Sequence, residues 1–268
     1  MRIVHLSDLH FGAEAVVQKD ALARWLDADP PDVLVASGDL TQTGARDEFE
    51  QARAFFAARA TIKVLVPGNH DTPLLDVFAR LTGPFRRFET TFDAFNVPNL
   101  VWDEAAFESL NTARGAQLRW NWSHGVVDLN ALDAATERLR SAAPTGWRIL
   151  VCHHPLIEPE GSPLRVATWN GAEAARRAAE AEVDVILCGH THAPFVAPLA
   201  YGDQATRMVG AGTAFSIRTR GVEAGFVTLD LNGRCADVTV WRWRADSYAP
   251  LDRITFERRA HSNKHAAA

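Results

Sequence analysis

The feature that most constrains this chain is a series of five short polar motifs, each placed directly after an apolar run that predicts a strand. In open α/β sheets, ligands bind at the edge formed by the carboxyl ends of the strands. We therefore expect the five motifs to converge on one site. In chain order they are Ser7-Asp8-Leu9-His10, Gly38-Asp39, Gly68-Asn69-His70-Asp71, His153-His154-Pro155 and Gly189-His190-Thr191-His192.

The placement of the histidines points to a metal centre at that edge. Six of the ten histidines lie in the five motifs. Asp, Asn and His are uncommon inside proteins unless they are paired, so their convergence requires a common partner. A set of nitrogen and oxygen ligands without thiolates favours transition-metal ions over Ca²⁺. Seven ligands are enough for two ions if one carboxylate bridges them, and Asp39, which follows a central strand, is the candidate bridge.

The spacing inside the motifs predicts which side chains share an ion. Residues i and i+2 of an extended chain point the same way, so Asp8 and His10 can reach one ion, and so can His190 and His192. Glycine precedes the candidate ligands at positions 38, 68 and 189, and we expect it to allow a sharp turn that other residues adopt only at a cost. A single motif of this kind is more typical of a surface loop. The ordered set of five is what favours a metal centre.

Apolar periodicity predicts a layered α/β core followed by a more antiparallel half. The predicted strands up to residue 188 are 2–6, 33–37, 62–66, 148–152 and 183–188, with two short strands within 101–110. The predicted helices are 16–27, 46–59, 131–140 and 172–181. Later strands are predicted at 195–199, 207–210, 226–231 and 236–244. The Asn232-Gly233 pair suits a hairpin turn because both positions tolerate positive φ, whereas residues 83–125 give little other pattern.

Composition limits the classes of partner. The 268 residues are 47% hydrophobic and 23% charged, as in an ordinary soluble globular protein. A net charge of −5 and a pI near 6.1 argue against nucleic-acid polymers, which are held largely by phosphate contacts to Lys and Arg. The three cysteines have no short spacing, so we expect small buried residues and not a disulfide framework or zinc site. They are Cys152, Cys188 and Cys235.

The two ends of the chain give expectations about its location. The first residues read directly as a strand with no signal-peptide pattern, and no apolar run approaches the ~20 residues needed to span a bilayer. We therefore expect a cytoplasmic protein without a membrane span. Residues 260–268 are expected to form a disordered-type tail whose small, polar sequence is of a kind that expression vectors add.

The ordered motifs resemble those of the calcineurin-like metallophosphoesterase family, over residues 3 to 192. The resemblance implies an α/β fold, a four-layer αββα sandwich of two mixed β-sheets flanked by helices, in a single domain over residues 1–259. It implies two divalent or trivalent transition-metal ions, Mn, Fe or Zn. The implied ligands are Asp8, His10, Asp39 and His192 for one ion, and Asp39, Asn69, His153 and His190 for the other.

The intact His70 is similar to that of the bacterial class III cyclic-nucleotide and glycerophosphodiester phosphodiesterases. We therefore expect a phosphodiesterase that hydrolyses small phosphodiesters by attack of a metal-bridged hydroxide on phosphorus. His70 would donate a proton to the leaving oxygen, and Asp71 would orient its ring. The alternatives are a phosphomonoesterase or pyrophosphatase with the same metal site and, from another class, a non-catalytic protein-binding scaffold. A homo-oligomer is left open.

Several other residues have alternative interpretations. His154 is expected to support its neighbours or to pack, because adjacent strand-end residues point in opposite directions, and His5 is expected to be structural. The loop with Trp120, Trp122 and His124 either lines the substrate cleft, with a tryptophan stacking on a planar group, or packs on the protein or a partner subunit. Trp169-Asn170 has the same two readings. The Trp-Arg-Trp-Arg run at 241–244 predicts an amphipathic strand with one buried face.

Overall fold

A computed structural model of the protein describes residues 1–102, 104–117 and 121–261. Within them lie fourteen strands and six helices. The strands are β1 (Arg2–Leu6), β2 (Val33–Ser37), β3 (Ile62–Val66), β4 (Asn99–Val101), β5 (Ala105–Leu110), β6 (Gly125–Val126), β7 (Trp147–Cys152), β8 (Thr168–Trp169), β9 (Val185–Cys188), β10 (Phe195–Pro198), β11 (Arg207–Gly210), β12 (Gly225–Asn232), β13 (Cys235–Arg244) and β14 (Ser247–Glu257). The helices are α1 (Val16–Ala28), α2 (Arg46–Ala57), α3 (Val77–Thr82), α4 (Arg86–Phe92), α5 (Leu129–Ala142) and α6 (Gly171–Glu180).

Two six-stranded mixed sheets form the centre of the fold. The first has the order β14-β13-β12-β1-β2-β3, in which β1, β2 and β3 are parallel and the other neighbours are antiparallel. The second has the order β10-β11-β9-β7-β5-β4, with a parallel centre and an antiparallel strand at each edge. The short strands β6 and β8 pair separately. Of the strands that precede the five motifs, β1 and β2 lie inside the first sheet and β7 and β9 inside the second, whereas β3 lies at the edge of the first.

The two sheets pack face to face between helical layers. Successive strand residues face opposite sides, so a strand buried on both faces contributes to two layers. In β2, Val33 and Val35 face the other sheet, whereas Leu34 and Ala36 face the layer that α1, α2 and α4 cover. On the second sheet, α5 and α6 cover the outer face. The predicted four-layer αββα sandwich is confirmed.

The buried cysteines and the amphipathic strand agree with the sequence interpretation. Cys152 and Cys188 lie fully buried beneath α5 and α6, whereas Cys235 is partly exposed, and all three thiols are free. In β13, the Trp241 ring lies 5.0 Å from that of Trp25 in the layer beneath α1. On the other face, the guanidinium groups of residues 242 and 244 pair with the carboxylate of residue 223.

Other elements differ from the predictions. The long strand β14 and the short helices α3 and α4 were not predicted from the periodicity. The hairpin between β12 and β13 forms, but Asn232 pairs with Cys235, so Gly233 and Arg234 are its central residues. Of these two only Gly233 has positive φ, at 57°. No helix in the described part of the chain combines the length and apolar character needed to cross a membrane. The single domain over 1–259 stays a prediction, and most of the proposed tail, residues 262–268, lies outside the described residues.

Candidate metal centre

The carboxyl ends of β1, β2, β3, β7 and β9 meet where the two sheets adjoin. Hydrogen bonds tie the sheets together at this point: His153 Nδ1, after β7, lies 2.7 Å from the carbonyl oxygen of Ser37 in β2. The backbone N–H of His190, after β9, donates to Asp8 Oδ2, after β1, at 2.9 Å. The expected convergence of the five motifs is therefore present.

Four of the predicted ligands form one buried group, consisting of Asp8, His10, Asp39 and His192, whose ligand atoms all lie within 4.8 Å of one another. His192 Nε2 is 3.2 Å from Asp8 Oδ1 and 3.5 Å from His10 Nε2. His10 Nε2 is also 4.0 Å from an oxygen of each aspartate. These are the four residues that the family resemblance implies for one ion.

A second group lies on the other side of Asp39. His153 Nε2 is 3.2 Å from Asn69 Oδ1 and 3.4 Å from Asp39 Oδ2. The ring of His190 lies beside that of His153, with 5.2 Å between centroids, and these two histidines together with His154 form a second potential metal-holding cluster. His190 and His192 thus belong to different groups, contrary to the expectation from their i, i+2 spacing that both reach one ion.

Asp39 joins the two groups through one oxygen atom. Its Oδ2 lies 4.0 Å from His10 Nε2 and 3.4 Å from His153 Nε2, so it faces both sets of side chains. Its other oxygen, Oδ1, accepts the backbone N–H of His70 at 2.8 Å. The carboxylate is fixed by the fold on one side and presented to both groups on the other, as a bridging ligand requires.

The backbone conformation at the site differs from the extended chain assumed from the sequence. Five predicted ligands have positive φ: Asp8 at 51°, His10 at 47°, Asp39 at 53°, His190 at 68° and His192 at 59°. Non-glycine residues in this region are uncommon and cluster at functional sites, where the surrounding structure holds the strain. Asp8 and His10 therefore lie together as predicted, but not because an extended backbone directs both side chains the same way.

The three glycines that precede ligands serve two different purposes. Gly38 has φ of +92°, which agrees with the expected turn. Gly68 and Gly189 are instead required by close packing. A Cβ on Gly68 would lie 2.2 Å from Asp39 Oδ1, and one on Gly189 would lie 1.7 Å from Ser7 Oγ. Both distances are far below any tolerated contact, so a side chain at either position would displace the ligand loops.

The polar atoms around the two groups fit bound metal ions. His153 Nδ1 is 2.7 Å from a backbone carbonyl, and His192 Nδ1 is 2.5 Å from the carbonyl oxygen of Arg218. A carbonyl can only accept, so these contacts place the proton on Nδ1 and leave the Nε2 lone pair facing inward, as in metal-binding histidines. Apart from the 3.2 Å contact with His192 Nε2, the buried Asp8 Oδ1 has no hydrogen bond to another described residue. A cation would provide the missing partner for this oxygen.

The charge states of the side chains differ: burial opposes a proton on His192, but Asp8 outweighs it and raises its pKa. Burial lowers the pKa of His10 to about 3 and, together with His153, also that of His190 to about 3. Burial raises the pKa of Asp8 and Asp39, but the neighbouring histidines outweigh it and hold both pKa values below the usual range. Burial opposes a proton on His153, yet Asp39 raises its pKa to about 9. Carboxylates and neutral imidazoles are the forms that bind metal, so an ion would displace the His153 proton.

His154 lies beside the second group, but the protein engages both of its ring nitrogens. Its Nδ1 lies 2.9 Å from Thr112 Oγ1, and its Nε2 lies 2.9 Å from the carbonyl oxygen of Ser123. Both ring nitrogens are therefore already engaged, although the ring centroid lies 4.6 Å from that of His190. These contacts agree with the supporting or packing role expected for His154. His5 is likewise fully buried, with Nε2 2.8 Å from Ser37 Oγ, which agrees with a structural role.

His70 stands at the edge of the first group. Its ring lies 4.9 Å from that of His10, edge to face. Its Nδ1 is 2.7 Å from the carbonyl oxygen of Gln42, and its Nε2 is 3.0 Å from Nη1 of Arg218. A carbonyl only accepts and a guanidinium only donates, so Nδ1 carries the proton and Nε2 is the acceptor in this arrangement.

The expected contact between Asp71 and the His70 ring is not found among the described residues. Asp71 instead accepts the backbone N–H groups of Leu40, Thr41 and Gly68 at 2.8–3.2 Å, together with the Thr41 hydroxyl. Burial and the nearby Asp39 raise its pKa to about 7, against these hydrogen bonds. Asp71 thus ties the loops after β2 and β3 together, and Gln42 orients the His70 ring. Neither Gln42 nor Arg218 carried a sequence signal, because both lie outside the motifs.

A cavity of about 210 Å³ opens beside His70 and Asn69. Trp122, 38% exposed, lines it together with Leu74, and the Arg80 guanidinium lies 5.1 Å from the Trp122 ring centroid. Trp122 therefore lines a cavity next to the predicted proton donor, and both interpretations of its loop stay predictions. His124 contacts Asn121 at 3.0 Å, and Trp120 lies outside the described residues. Trp169, in β8, is 53% exposed and does not line this cavity within the described chain.

Comparison with known proteins agrees with the fold and with the family resemblance. The sequence profile described as calcineurin-like phosphoesterase matches residues 1–194. Glycerophosphodiester phosphodiesterase GpdQ from Enterobacter lignolyticus is 31% identical over 87 residues, which cover 26% of this chain and 30% of that protein. The match thus spans less than a third of that curated relative.

Two solved structures share the architecture over nearly their whole length. A dimetal phosphatase from Danio rerio superimposes with a TM-score of 0.65 at 12% identity, covering 97% of this chain and 99% of the other. Vacuolar protein sorting 29 from Cryptosporidium parvum gives a TM-score of 0.51 at 12% identity, with 96% and 98% covered. At such identities the likeness concerns the fold alone.

Proposed function

The chain belongs to the calcineurin-like phosphoesterase family, and from this premise we propose that it is a binuclear-metal phosphodiesterase acting on small phosphodiesters. The observation that carries the proposal is the placement of Asp39 Oδ2, which faces His10 on one side and His153 on the other, with His70 at the rim. A cyclic nucleotide or a glycerophosphodiester is the substrate type we propose.

The proposed ligand sets follow the two groups around Asp39. One ion would be held by Asp8, His10, Asp39 and His192, and the other by Asp39, Asn69, His153 and His190. We propose Mn, Fe or Zn, since imidazole and carboxylate ligands together suit these ions. When bound, such ions supply Lewis acidity that activates water and neutralises charge on the phosphoryl group. The contacts of His154 argue against including it as a ligand.

The protein's own contribution to bond cleavage is assigned to His70. Its ring is fixed by the Gln42 carbonyl through Nδ1, which leaves Nε2 as the nitrogen that can face the cavity. To assist departure of the leaving alkoxide, His70 must hold a proton on Nε2 and donate it to that oxygen. Asp71 supports this geometry indirectly, because its hydrogen bonds to the loops after β2 and β3 fix the segment that carries His70.

The cavity beside His70 supports a diester substrate. A phosphodiester has a second esterified group that must be accommodated next to the leaving oxygen, and Trp122 and Leu74 offer an apolar surface there. The local similarity to a glycerophosphodiester phosphodiesterase agrees with this choice. The net charge of −5 favours small substrates over nucleic-acid polymers. We also propose a cytoplasmic location, which the three free thiols suit.

A phosphomonoesterase or pyrophosphatase activity is the main alternative, since the structural likeness includes a dimetal phosphatase. A non-catalytic binding scaffold is the other, since a protein-sorting component shares the fold. The kcat/KM values for bis-p-nitrophenyl phosphate and p-nitrophenyl phosphate, measured with Mn²⁺ and with metal analysis of the same sample, separate the three. We expect the diester to be preferred. A preference for the monoester would support the first alternative, and two bound ions with no hydrolysis of either compound would support the scaffold.

A further inference from the structure

Arg218 lies in the loop after β11 and contacts the site twice. Its backbone carbonyl accepts from His192 Nδ1 at 2.5 Å. Its side chain reaches in another direction: Nη1 lies 3.0 Å from His70 Nε2 and 3.3 Å from Gln42 Oε1. One residue therefore orients a predicted metal ligand through its main chain and reaches the predicted proton donor through its guanidinium.

Arg218 is partly buried, and among the described residues its guanidinium has only neutral partners. Within the described chain, none of the ion pairs closer than 4.0 Å includes Arg218, and both groups that it contacts, an imidazole and an amide, are uncharged acceptors. Other arginines of the fold have carboxylate partners, such as Arg138 with Glu108 at 2.7 Å. A partly desolvated cation without a counter-charge at the edge of a ligand site is a receptor for an anion.

We propose that Arg218 binds a non-bridging phosphoryl oxygen of the substrate. This inference rests on the proposed function of the site. Without substrate, the Arg218 guanidinium donates to a neutral acceptor, Nε2 of His70, at 3.0 Å. A phosphoryl anion is the stronger partner, since it allows charge-assisted and bidentate hydrogen bonds that imidazole cannot offer. Substrate binding would thus replace the contact between Arg218 and His70 with a charge-assisted contact to the phosphoryl group.

The two contacts of Arg218 can be separated by mutation. A side-chain substitution removes the guanidinium but leaves the backbone carbonyl that orients His192. Arg218→Met removes the charge and keeps an unbranched side chain, whereas Arg218→Lys keeps the charge without the bidentate geometry. Arg220, in the same loop, is exposed, so Arg220→Met is the matched control.

The test is calorimetric binding of inorganic phosphate to the Mn²⁺-loaded protein, with metal content measured on the same samples. A hydrogen bond to a charged group contributes about 1.5–3 kcal/mol, so we expect Arg218→Met to weaken phosphate binding roughly 10- to 100-fold. Arg218→Lys should fall between Met and the wild type. Arg220→Met should bind phosphate like the wild type, and every variant should retain its metal ions.

Two results would overturn the proposal. The first is unchanged phosphate affinity in a metal-loaded Arg218→Met protein. The second is loss of metal from the Met and Lys variants alike, which would make Arg218 a scaffold for the ligands only. Failure of the proposed function looks different: the wild-type protein would bind phosphate through Arg218 and yet hydrolyse neither phosphodiester nor phosphomonoester.

Discussion

At the scale of single residues, the side chains of this centre are each held by the fold on one side and presented to the centre on the other. Asp39 Oδ1 accepts a hydrogen bond from a backbone N–H, and Oδ2 faces both ligand groups. His153 and His192 donate from Nδ1 to backbone carbonyls, so that Nε2 of each ring faces the centre. Such contacts fix ring orientation and tautomer before an ion arrives. The protein therefore bears the cost of ordering these side chains during folding.

The role of His70 predicts a separation between metal binding and turnover. His70→Ala should lower kcat for bis-p-nitrophenyl phosphate by about 10²–10⁴, the usual contribution of general acid catalysis. Metal content should stay at the wild-type value, because the contact of His70 with Asp39 is made by its backbone N–H, which alanine retains. Steady-state kinetics and elemental analysis of one preparation check both points, and a variant that lost its ions would contradict the assignment.

In contrast to replacement of His70, replacement of Asp39 should change metal binding. Asp39→Asn keeps the shape of the side chain but removes the charge that Oδ2 offers to both groups. Binding of both ions should therefore weaken, as measured by Mn²⁺ titration of the metal-free protein. Asp133→Asn, which changes an exposed carboxylate on α5, should bind Mn²⁺ like the wild type. Full retention of two ions by Asp39→Asn would exclude the bridging role.

At the scale of elements, the strand ends carry the polar residues and also set the direction of their side chains. The chain leaves β1, β2 and β9 through left-handed ligand residues, so that a buried strand is followed at once by side chains aimed into the seam between the sheets. The close approach of Gly68 to Asp39 packs the loop after β3 against the loop after β2. The geometry of the centre thus depends on how tightly these loops pack.

The packing at Gly68 is open to a direct test. In Gly68→Ala, the new Cβ would lie 2.2 Å from Asp39 Oδ1, so the loop or the carboxylate must move. We expect weaker binding of both ions and a loss of stability on the order of 1–3 kcal/mol, as for other overpacked sites. Gly83→Ala is the control, since its nearest atom would be Arg86 Cβ at 3.6 Å. Mn²⁺ titration and denaturant unfolding would show the difference; equal behaviour of the two variants would contradict the packing argument.

The elements also show what sequence patterns can and cannot predict. The buried parallel strands were predictable because their apolar runs end abruptly in polar motifs. Strand β14 was missed because it lies at an edge and exposes much of its length. Helices α3 and α4 are too short to show helical periodicity, at 6 and 7 residues.

The side chains of the site likewise include features that the sequence predicts and features that it does not. The ligand residues were predictable because they share one chemistry and one position relative to strands. Their left-handed backbone was not, since it depends on tertiary packing around each loop. Arg218 gave no signal because it follows no motif and acts from a loop that only the folded chain brings to His70. Asp71 was placed in the correct motif, but its partners turned out to be backbone N–H groups of a neighbouring loop.

At the scale of the whole molecule, the centre sits where the two sheets meet, and each sheet supplies part of it. The first sheet provides Asp8, His10, Asp39 and Asn69, and the second provides the later histidines. The apolar layer between the sheets, which includes Val35 of β2, is continuous beneath this seam. Stability of the sheet packing and integrity of the metal site are therefore coupled.

Burial of His5 in that layer predicts acid sensitivity of the metal-free protein. Burial lowers the pKa of His5 to about 3 from 6.5 in the unfolded chain. Below about pH 6.5, His5 takes up a proton in the unfolded chain but not in the native state. The free energy of unfolding therefore decreases as the pH is lowered. The loss from this one group should reach roughly 2–3 kcal/mol between about pH 6.5 and pH 4.5.

The control for this prediction is His5→Gln, which removes the titrating group. Its free energy of unfolding, measured by denaturant titration with a chelator present, should fall less steeply over the same pH range. Other buried histidines titrate in both proteins, so the difference in slope belongs to His5. Parallel curves for the two proteins would show that His5 does not contribute.

The central claim, two ions joined by Asp39, is tested most directly by anomalous diffraction from crystals of the protein soaked in Mn²⁺. We predict two peaks per chain, roughly 3.5–4 Å apart, on either side of Asp39 Oδ2, one beside His10 and His192 and the other beside His153 and His190. A single peak, or two peaks of which only one contacts Asp39, would contradict the account.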